Sequence, residues 1–188
     1  MLTIPNLLTL LRVALVPCFI GASLEGMYNV AFVIFVSAAL TDILDGAIAR
    51  RLNQRSRLGA LLDPAADKML MVSGYLFYTL SPALPRVAIP EWLTFVVFVR
   101  DFMLALVAYL MYTRVQVKRF PPSVAGKTTT VLQAVTLGCA IAVNGFLPNL
   151  MWLATLLFHA ALLMTLYSSI DYIRRGERLI ADGDAAHA

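Results

Sequence analysis

The sequence has few charged residues and very few cysteines for its length. Of its 188 residues, 14% are charged and two are cysteines. Because soluble domains carry about 25% charged residues, this composition argues against an ordinary soluble protein. Cys18 and Cys139 both lie in apolar runs, which excludes a disulfide framework and a cysteine-rich metal site. Internal repeats and low-complexity segments are also lacking. Because no basic segment precedes the first apolar stretch, we expect no cleavable signal peptide.

Apolar residues make up most of the chain. They account for 60% of the sequence, and the mean hydropathy is +0.79. An α-helix needs about 20 mostly apolar residues to cross the hydrocarbon layer of a membrane. The pattern predicts an all-α, polytopic membrane protein of one domain, 1–188, with a polar tail from about residue 174 that frays after Ile180. We expect six transmembrane helices, over 7–24, 28–51, 58–80, 91–112, 123–146 and 150–172.

Lysine and arginine are distributed unevenly between the predicted loops. Eleven of the fifteen lie in the second-to-third connection, the fourth-to-fifth connection and the C-terminal flank, whereas Arg86 alone lies in the opposite loops. Cytoplasmic loops carry an excess of basic residues. We therefore expect a multi-pass protein of a bacterial inner membrane, with both termini on the cytoplasmic side. The net charge of +4 does not indicate nucleic-acid binding, because the basic residues are spread over short loops.

Four aspartates interrupt the otherwise apolar second and third helices. Asp42 and Asp45 are three residues apart, and Asp63 and Asp67 are four apart, so each pair lies on one face of its helix. An unpaired carboxylate costs about 2.5 to 3.5 kcal/mol at the centre of a membrane helix, and clustered carboxylates repel one another. Divalent cations such as Mg²⁺ relieve both costs and still bind phosphate oxygens. The pattern predicts one or two such ions, and two ions can clamp both oxygens of a phosphoryl transfer.

Small residues and an arginine accompany the aspartates. Gly46, Ala49 and Gly59 leave room for a ligand near the helix backbone, and Arg50 can pair with a phosphate through two hydrogen bonds. Aspartates that only pair with arginine or lysine are the structural alternative, but such pairing does not require this spacing. An ion or proton carrier is the competing functional class. The sequence lacks the inverted repeats and paired broken helices that are typical of carriers.

Three further basic residues are candidates for binding a substrate phosphate. Arg12 lies inside the first span, where it either snorkels towards the headgroups or binds phosphate. Arg100 lies in the middle of the fourth span, where it acts at the substrate site or in a structural pair. Asp101 follows it, and since adjacent residues do not face each other on a helix, we expect the two to have separate partners. Ser123 is expected to cap the fifth helix, where Lys127 and exposed amides either bind an anion or stay solvated.

The aspartates and their neighbours resemble the signature of the CDP-alcohol phosphotransferase family, D-x2-D-G-x2-A-R-x8-G-x3-D-x3-D. The chain matches every fixed position of this signature, at Asp42, Asp45, Gly46, Ala49, Arg50, Gly59, Asp63 and Asp67. The resemblance implies a six-helix membrane enzyme, usually a homodimer, that transfers the phosphate-containing group of a CDP-linked donor to an alcohol and releases CMP. It also implies a divalent cofactor, Mg²⁺ or Mn²⁺, with two ions expected.

The resemblance further implies a role for each residue of the signature. Metal ligands correspond to Asp42, Asp45, Asp63 and Asp67, and Asp67 also corresponds to the proposed general base. Residues around the CDP moiety correspond to Asp42, Gly46, Ala49, Arg50 and Gly59. Acceptor binding is expected at Arg100, Lys127 and Arg12.

Two more segments resemble the subgroup that uses CDP-diacylglycerol, which includes phosphatidylglycerophosphate synthases and CMP-forming cardiolipin synthases. They are IPNLLTLLR at 4–12 and the pattern Gly126-Lys127-x2-Thr130-x2-Gln133. Members that use glycerol 3-phosphate usually carry Arg-Glu in the fourth helix and a second arginine two turns later. This chain instead has Arg100-Asp101 and Ala108. Glycerol 3-phosphate is the predicted acceptor, and phosphatidylglycerol is the alternative.

Overall fold

The computed structural model describes residues 4–52, 57–114 and 123–185, which form helices and short connections. Its six α-helices are α1 Ile4–Leu24, α2 Tyr28–Leu52, α3 Arg57–Leu80, α4 Glu91–Arg114, α5 Val124–Gly145 and α6 Met151–Ala185. One turn of 3₁₀-helix, Pro148–Leu150, precedes α6. The all-α prediction is confirmed for the described residues, and the predicted ends of α1 to α5 lie within three residues of the observed ends.

The sixth helix is longer than the sequence pattern predicted. The predicted end of the sixth span, near residue 172, lies close to the end of the apolar segment at Arg175. The prediction that the tail frays after Ile180 was wrong, because α6 continues to Ala185. Arg, Glu, Leu and Ala in the tail all favour helix, and Asp171 forms an i,i+4 ion pair with Arg175 at 3.0 Å that supports its continuation.

Two helical segments among the described residues are long and apolar enough to cross a membrane by length and composition. They are Val124–Gly145 and Pro148–Arg175, and two shorter apolar segments are Leu11–Leu24 and Tyr28–Thr41. These segments were identified only among residues whose side chains the structure describes, which leaves out 1–10 and 42–67. The count of six transmembrane spans therefore stays a prediction.

The first of two compact units consists of Met1–Ile89 and Leu137–Ala154. Within it, α1 packs against both α2 and α3. Phe19 of α1 contacts Phe35 of α2 and Tyr78 of α3, with ring centroids 6.2 and 6.3 Å apart, and all three rings are buried. Helix α1 thus packs against both of the helices that carry the aspartates.

The turn between α1 and α2 ends the first helix at a glycine. Gly26 has a φ of 73°, which glycine adopts at little cost. Its amide donates to Ser23 O at 3.2 Å, and the Met27 amide donates to Ala22 O at 2.9 Å. This pair of bonds is the Schellman arrangement, which satisfies carbonyls that the helix end leaves without partners.

Asn144, near the end of α5, fastens the loop that follows α3. Its Oδ1 accepts hydrogen bonds from the amides of Arg86 and Val87 at 3.1 and 3.2 Å. Its Nδ2 donates to Val87 O at 2.8 Å and to Ala140 O at 2.9 Å. The Arg86 guanidinium in turn donates to the Asn144 carbonyl at 2.6 Å, where a positive charge also favours the C-terminal end of the α5 dipole. These bonds fix the chain direction between α3 and α4.

Asn144→Ala is expected to destabilise the protein by about 2 kcal/mol, because it leaves buried and partly buried backbone groups without partners. The side chain is 2% exposed, so water cannot readily replace these bonds. The melting temperature in detergent should fall by roughly 4 to 8 °C. Asn149→Ala, at an exposed position in the nearby 3₁₀ turn, is the matched control and should leave it unchanged. An equal effect of the two substitutions would contradict the role given to Asn144.

The second compact unit consists of Pro90–Thr136 and Thr155–Ala188. Polar side chains join α5 to α6 within it. Thr129 Oγ1 donates to Met164 O at 3.1 Å, and Gln133 Nε2 donates to Thr165 Oγ1 at 3.1 Å. All three polar side chains are buried. Hydrogen bonds between helices help to hold them together in a membrane, where lipid chains are as apolar as leucine side chains and the hydrophobic effect does not drive helix packing.

Candidate active site

The structure places the eight signature residues on two helices of the first unit. Asp42, Asp45, Gly46, Ala49 and Arg50 lie in α2, and Gly59, Asp63 and Asp67 lie in α3. Helical backbone at these positions agrees with the spacing argument, since residues three or four apart share a face. The side chains of 42–67 lie outside the described part of the structure, so the arrangement of the carboxylates stays a prediction.

Arg12 lies on α1, in the same unit, and its side chain is 0% exposed. A snorkelling arginine keeps its charged head in water or among headgroups. Complete burial therefore disfavours that interpretation. Arg12 lies on α1, the helix that packs against α2 and α3. Its role in binding phosphate stays a prediction.

Arg100 lies on α4 in the second unit and is 5% exposed. Its Nη1 donates to Asp101 Oδ1 at 2.9 Å. Its Nη2 donates to Ser168 Oγ at 3.2 Å and to Gly126 O at 3.3 Å. The guanidinium of Arg100 is thus held by hydrogen bonds to residues of three helices, α4, α5 and α6.

The ion pair between Arg100 and Asp101 corrects our expectation that the two have separate partners. The helix rule describes where side chains begin, at Cβ, and two adjacent Cβ atoms do point apart. An arginine has enough rotatable bonds to bring its guanidinium back to a neighbouring carboxylate. Because both groups are largely removed from water, a charge left unpaired there would be costly, and the contact avoids that cost.

Ser123 begins α5 as predicted. Its Oγ accepts a hydrogen bond from the Gly126 amide at 2.9 Å, which is the capping bond that serine favours at a helix start. A Cβ atom at Gly126 would lie 3.3 Å from Ser123 Oγ and 3.5 Å from Arg100 Nη2. The glycine therefore allows the guanidinium to come close to the first turn of α5.

Arg100 and Lys127 border the same cavity, which has a volume of about 550 Å³. The structure thus brings together two of the three residues predicted to bind the acceptor. Lys127 is exposed, so its ammonium is free to turn towards a ligand. The cavity is lined by Arg100, Leu104, Ser123, Gly126, Lys127, Thr130, Val131 and Tyr172.

Two residues of this region were missed in the sequence. Ser168 holds Arg100 from α6, and Tyr172 lines the cavity one turn further along that helix. The available signal was Ser168-Ser169, a pair of hydroxyls within an apolar helix. Buried hydroxyls in such helices mark hydrogen bonds to other helices, but their partner is not evident from the sequence.

The donor chemistry of the predicted metal site fits Mg²⁺ or Mn²⁺. Four aspartates supply only oxygen ligands, which these hard ions prefer. Elsewhere in the chain, where the structure describes side chains, no cluster of three or more carboxylates, histidines or cysteines is found. The signature on α2 and α3 stays the predicted metal site.

The described residues thus form a helical protein with long apolar segments, a carboxylate signature on two consecutive helices of the first unit, and a buried arginine that lines a cavity within the second unit. The profile of the CDP-alcohol phosphatidyltransferase family matches residues 2–167. The chain belongs to that family, as the resemblance predicted.

Relatives of known name fall into two groups. A CDP-diacylglycerol–glycerol-3-phosphate 3-phosphatidyltransferase from Aquifex aeolicus is 33% identical, over 95% of this chain and 98% of its own length. The human CMP-forming cardiolipin synthase is 34% identical, over 96% of this chain and 64% of its own length. A Mycobacterium tuberculosis protein named as a cardiolipin synthase is 39% identical, over 69% of this chain and 59% of its own length. The chain thus spans less than two thirds of the human and mycobacterial proteins.

Proposed function

We propose that the protein is a membrane phosphatidyltransferase that moves the phosphatidyl group of CDP-diacylglycerol to the hydroxyl of glycerol 3-phosphate and releases CMP. The observation that carries this proposal is the complete signature, with all eight fixed residues on the helical backbone of α2 and α3. The Aquifex relative supports the choice of acceptor, because it aligns with this chain over nearly the full length of both.

The proposed chemistry belongs to residues of α2 and α3. Asp42, Asp45 and Asp63, with Asp67, hold one or two Mg²⁺ or Mn²⁺ ions, which when bound neutralise charge on the phosphates during transfer. Arg50 binds a phosphate of the CDP moiety, and Gly46, Ala49 and Gly59 leave space for it. Asp67 accepts the proton of the acceptor hydroxyl, which turns a poor nucleophile into a better one.

The proposed acceptor residues are Arg100, Lys127 and Arg12. Arg100 and Lys127 border one cavity, and this pair of positively charged side chains supports a phosphate-binding role for it. Arg12 is assigned from its position in the opening segment of the chain. Each of these three side chains can donate hydrogen bonds to a phosphate oxygen.

Phosphatidylglycerol is the second candidate acceptor, and a specific contact favours it. The carboxylate of Asp101 pairs with Arg100 at 2.9 Å, which reduces the positive charge offered to an acceptor phosphate. A phosphodiester carries one negative charge, whereas a phosphate monoester carries about 1.5 to 2 at pH 7. The similarity to the human cardiolipin synthase is consistent with this alternative.

The cellular setting is part of the same proposal. We place the enzyme in a bacterial inner membrane as a homodimer with six spans, with its active site and both termini on the cytoplasmic side. The excess of lysine and arginine in the predicted cytoplasmic segments supports this orientation. A water-soluble product such as CMP is then released into the cytosol.

A direct assay separates the proposed function from the carrier alternative. Purified protein with CDP-diacylglycerol and Mg²⁺ or Mn²⁺ should release CMP when glycerol 3-phosphate or phosphatidylglycerol is supplied. Thin-layer analysis of the lipid product identifies the acceptor used. If no alcohol acceptor yields CMP, the carrier becomes the better assignment.

Arg100→Ala is expected to raise the acceptor KM by at least about ten-fold, since a hydrogen bond to a charged group contributes roughly 1.5 to 3 kcal/mol. The KM for CDP-diacylglycerol should change much less, because lost uniform binding appears in the KM of the ligand concerned. Initial rates of CMP release at varied acceptor and varied donor measure both constants.

Arg175→Ala is the matched control, since it also removes one arginine, whose side chain on α6 is 46% exposed. Arg100→Lys keeps the charge and tests whether the fork of the guanidinium matters. A change confined to the donor KM would remove Arg100 from the acceptor site. Introducing arginine at Ala108 tests the departure from the family pattern, and we expect improved use of glycerol 3-phosphate.

A further inference from the structure

The guanidinium of Arg100 is already engaged on most of its surface. A guanidinium has five N–H donors. One donor on Nη1 is directed to Asp101, and Nη2 donates to both Ser168 Oγ and Gly126 O. Nε has no hydrogen-bond partner among the described residues. Two donors therefore stay free of these contacts, one on Nη1 and one on Nε.

This arrangement removes both ways in which the guanidinium can grip an oxyanion with two parallel bonds. The end-on fork uses Nη1 with Nη2, and the side-on fork uses Nε with Nη2. Each fork needs Nη2, whose donors are occupied by Ser168 and Gly126. An incoming phosphate then receives single bonds from Arg100, and bidentate recognition is what distinguishes arginine at phosphate sites.

The charges around the cavity also weaken its recognition of a doubly charged phosphate. Arg100 and Lys127 are the charged side chains among the residues that line it. Asp101 is close enough to offset the charge of Arg100, and the two side chains are 6% and 18% exposed, so solvent screens this pair weakly. The carboxylate of Asp101 thus lowers the positive charge that Arg100 presents to the cavity, and this lowers the preference for a dianion over a monoanion.

The apolar part of the cavity is compatible with a lipid acceptor. Leu104 and Val131 line it, and Val131 is 63% exposed on the surface of α5. In a membrane such a surface faces lipid chains. An acceptor with acyl chains can therefore bind its phosphodiester at the cavity while its chains stay among the lipids.

We propose that Asp101 is a specificity-determining residue, which lowers the preference of the site for a dianionic phosphate monoester relative to a monoanionic phosphodiester. It acts through Arg100, so it is a positioning residue and not a catalytic one. The inference rests on the proposed function, because it assumes that the cavity beside Arg100 binds the acceptor phosphate.

The test is Asp101→Asn, which keeps the size and an oxygen acceptor but removes the charge. We expect the ratio of kcat/KM for glycerol 3-phosphate to that for phosphatidylglycerol to rise by about ten-fold, the effect of one nearby charge at a partly screened site. Asp101→Glu retains the charge and should stay close to the wild-type ratio. Glu91→Gln is the matched control, because it removes one negative charge from the exposed start of the same helix.

A second readout separates this inference from the proposed function. Equilibrium dialysis of labelled glycerol 3-phosphate and of glycerophosphoglycerol, a water-soluble phosphodiester, measures the same preference without turnover. If the wild type releases no CMP with either acceptor, the proposed function fails, and the binding ratio still tests Asp101. An unchanged or lower ratio for Asp101→Asn in both measurements overturns the proposal.

Ser168→Ala keeps the proposal testable if Asp101→Asn does not fold. It removes the hydroxyl that accepts from Nη2 and frees one of the two Nη2 donors, which makes one of the two forks available. The preference should shift towards the monoester, by a smaller factor than for Asp101→Asn. A shift towards the phosphodiester, or none, contradicts the role given to the occupied guanidinium.

Discussion

Asp45→Asn is expected to reduce CMP release by at least about 10³-fold, because metal ions contribute several kcal/mol of charge stabilisation to such a reaction. Asparagine keeps the size of the side chain but removes one negative ligand from the predicted site. The backbone at this position is helical, and asparagine is tolerated in a helix nearly as well as aspartate. The protein should therefore stay folded in detergent while its activity is lost.

Binding measurements give this prediction a second readout. Titration of Mn²⁺ with CDP present should show weaker and less cooperative binding to Asp45→Asn than to the wild type. Asp182→Asn is the control, since it makes the same substitution beyond the residues that the family profile matches. Near-normal turnover of Asp45→Asn would overturn the assignment of the signature as a metal site.

The sequence predicted several helix boundaries well because local signals mark them. Prolines interrupt the chain between α3 and α4, Gly26 ends α1, and Ser123 caps α5, and all three lie within a few residues of the boundary they mark. Such signals depend on neighbours in the chain, so periodicity and composition reveal them.

Contacts between distant residues were predicted poorly for the opposite reason. The fastening of residues 86–87 by Asn144 joins positions more than fifty residues apart, and nothing near Asn144 in the sequence indicates its partners. The same is true of Ser168 and Arg100. The Arg100–Asp101 pair was local, but its geometry depends on side-chain torsions and burial, which the helix spacing rule does not include.

In the candidate site, too, local spacing could be predicted from the sequence, whereas contacts between side chains could not. Helical spacing predicted which signature residues share a face, and the described backbone of α2 and α3 agrees. The roles of individual aspartates depend on distances between carboxylate oxygens, which spacing along a helix does not determine. Substitutions can therefore distinguish these roles, because Asp42→Asn and Asp67→Asn are expected to have different effects.

Asp67→Asn is expected to lower turnover by roughly 10²- to 10⁴-fold, the usual contribution of a general base. An acceptor hydroxyl is a weak nucleophile until its proton is removed, and Asp67 lies one helical turn after Asp63, on the same face of α3. A divalent ion bound nearby would favour the ionised carboxylate and would make it a weaker base. Positive charge at the site offsets that loss by stabilising the alkoxide as it forms.

The contrast with Asp42→Asn makes the role of Asp67 testable. Asp67→Asn should leave binding of CDP-diacylglycerol and metal much less affected than Asp42→Asn does, because a base acts on the acceptor and not on the donor. The dependence of kcat on pH gives an independent measure, since losing the base should remove the rise in rate on the acidic side. If Asp67→Asn abolishes metal and donor binding while Asp42→Asn spares them, the roles assigned to the two ends of the signature must be exchanged.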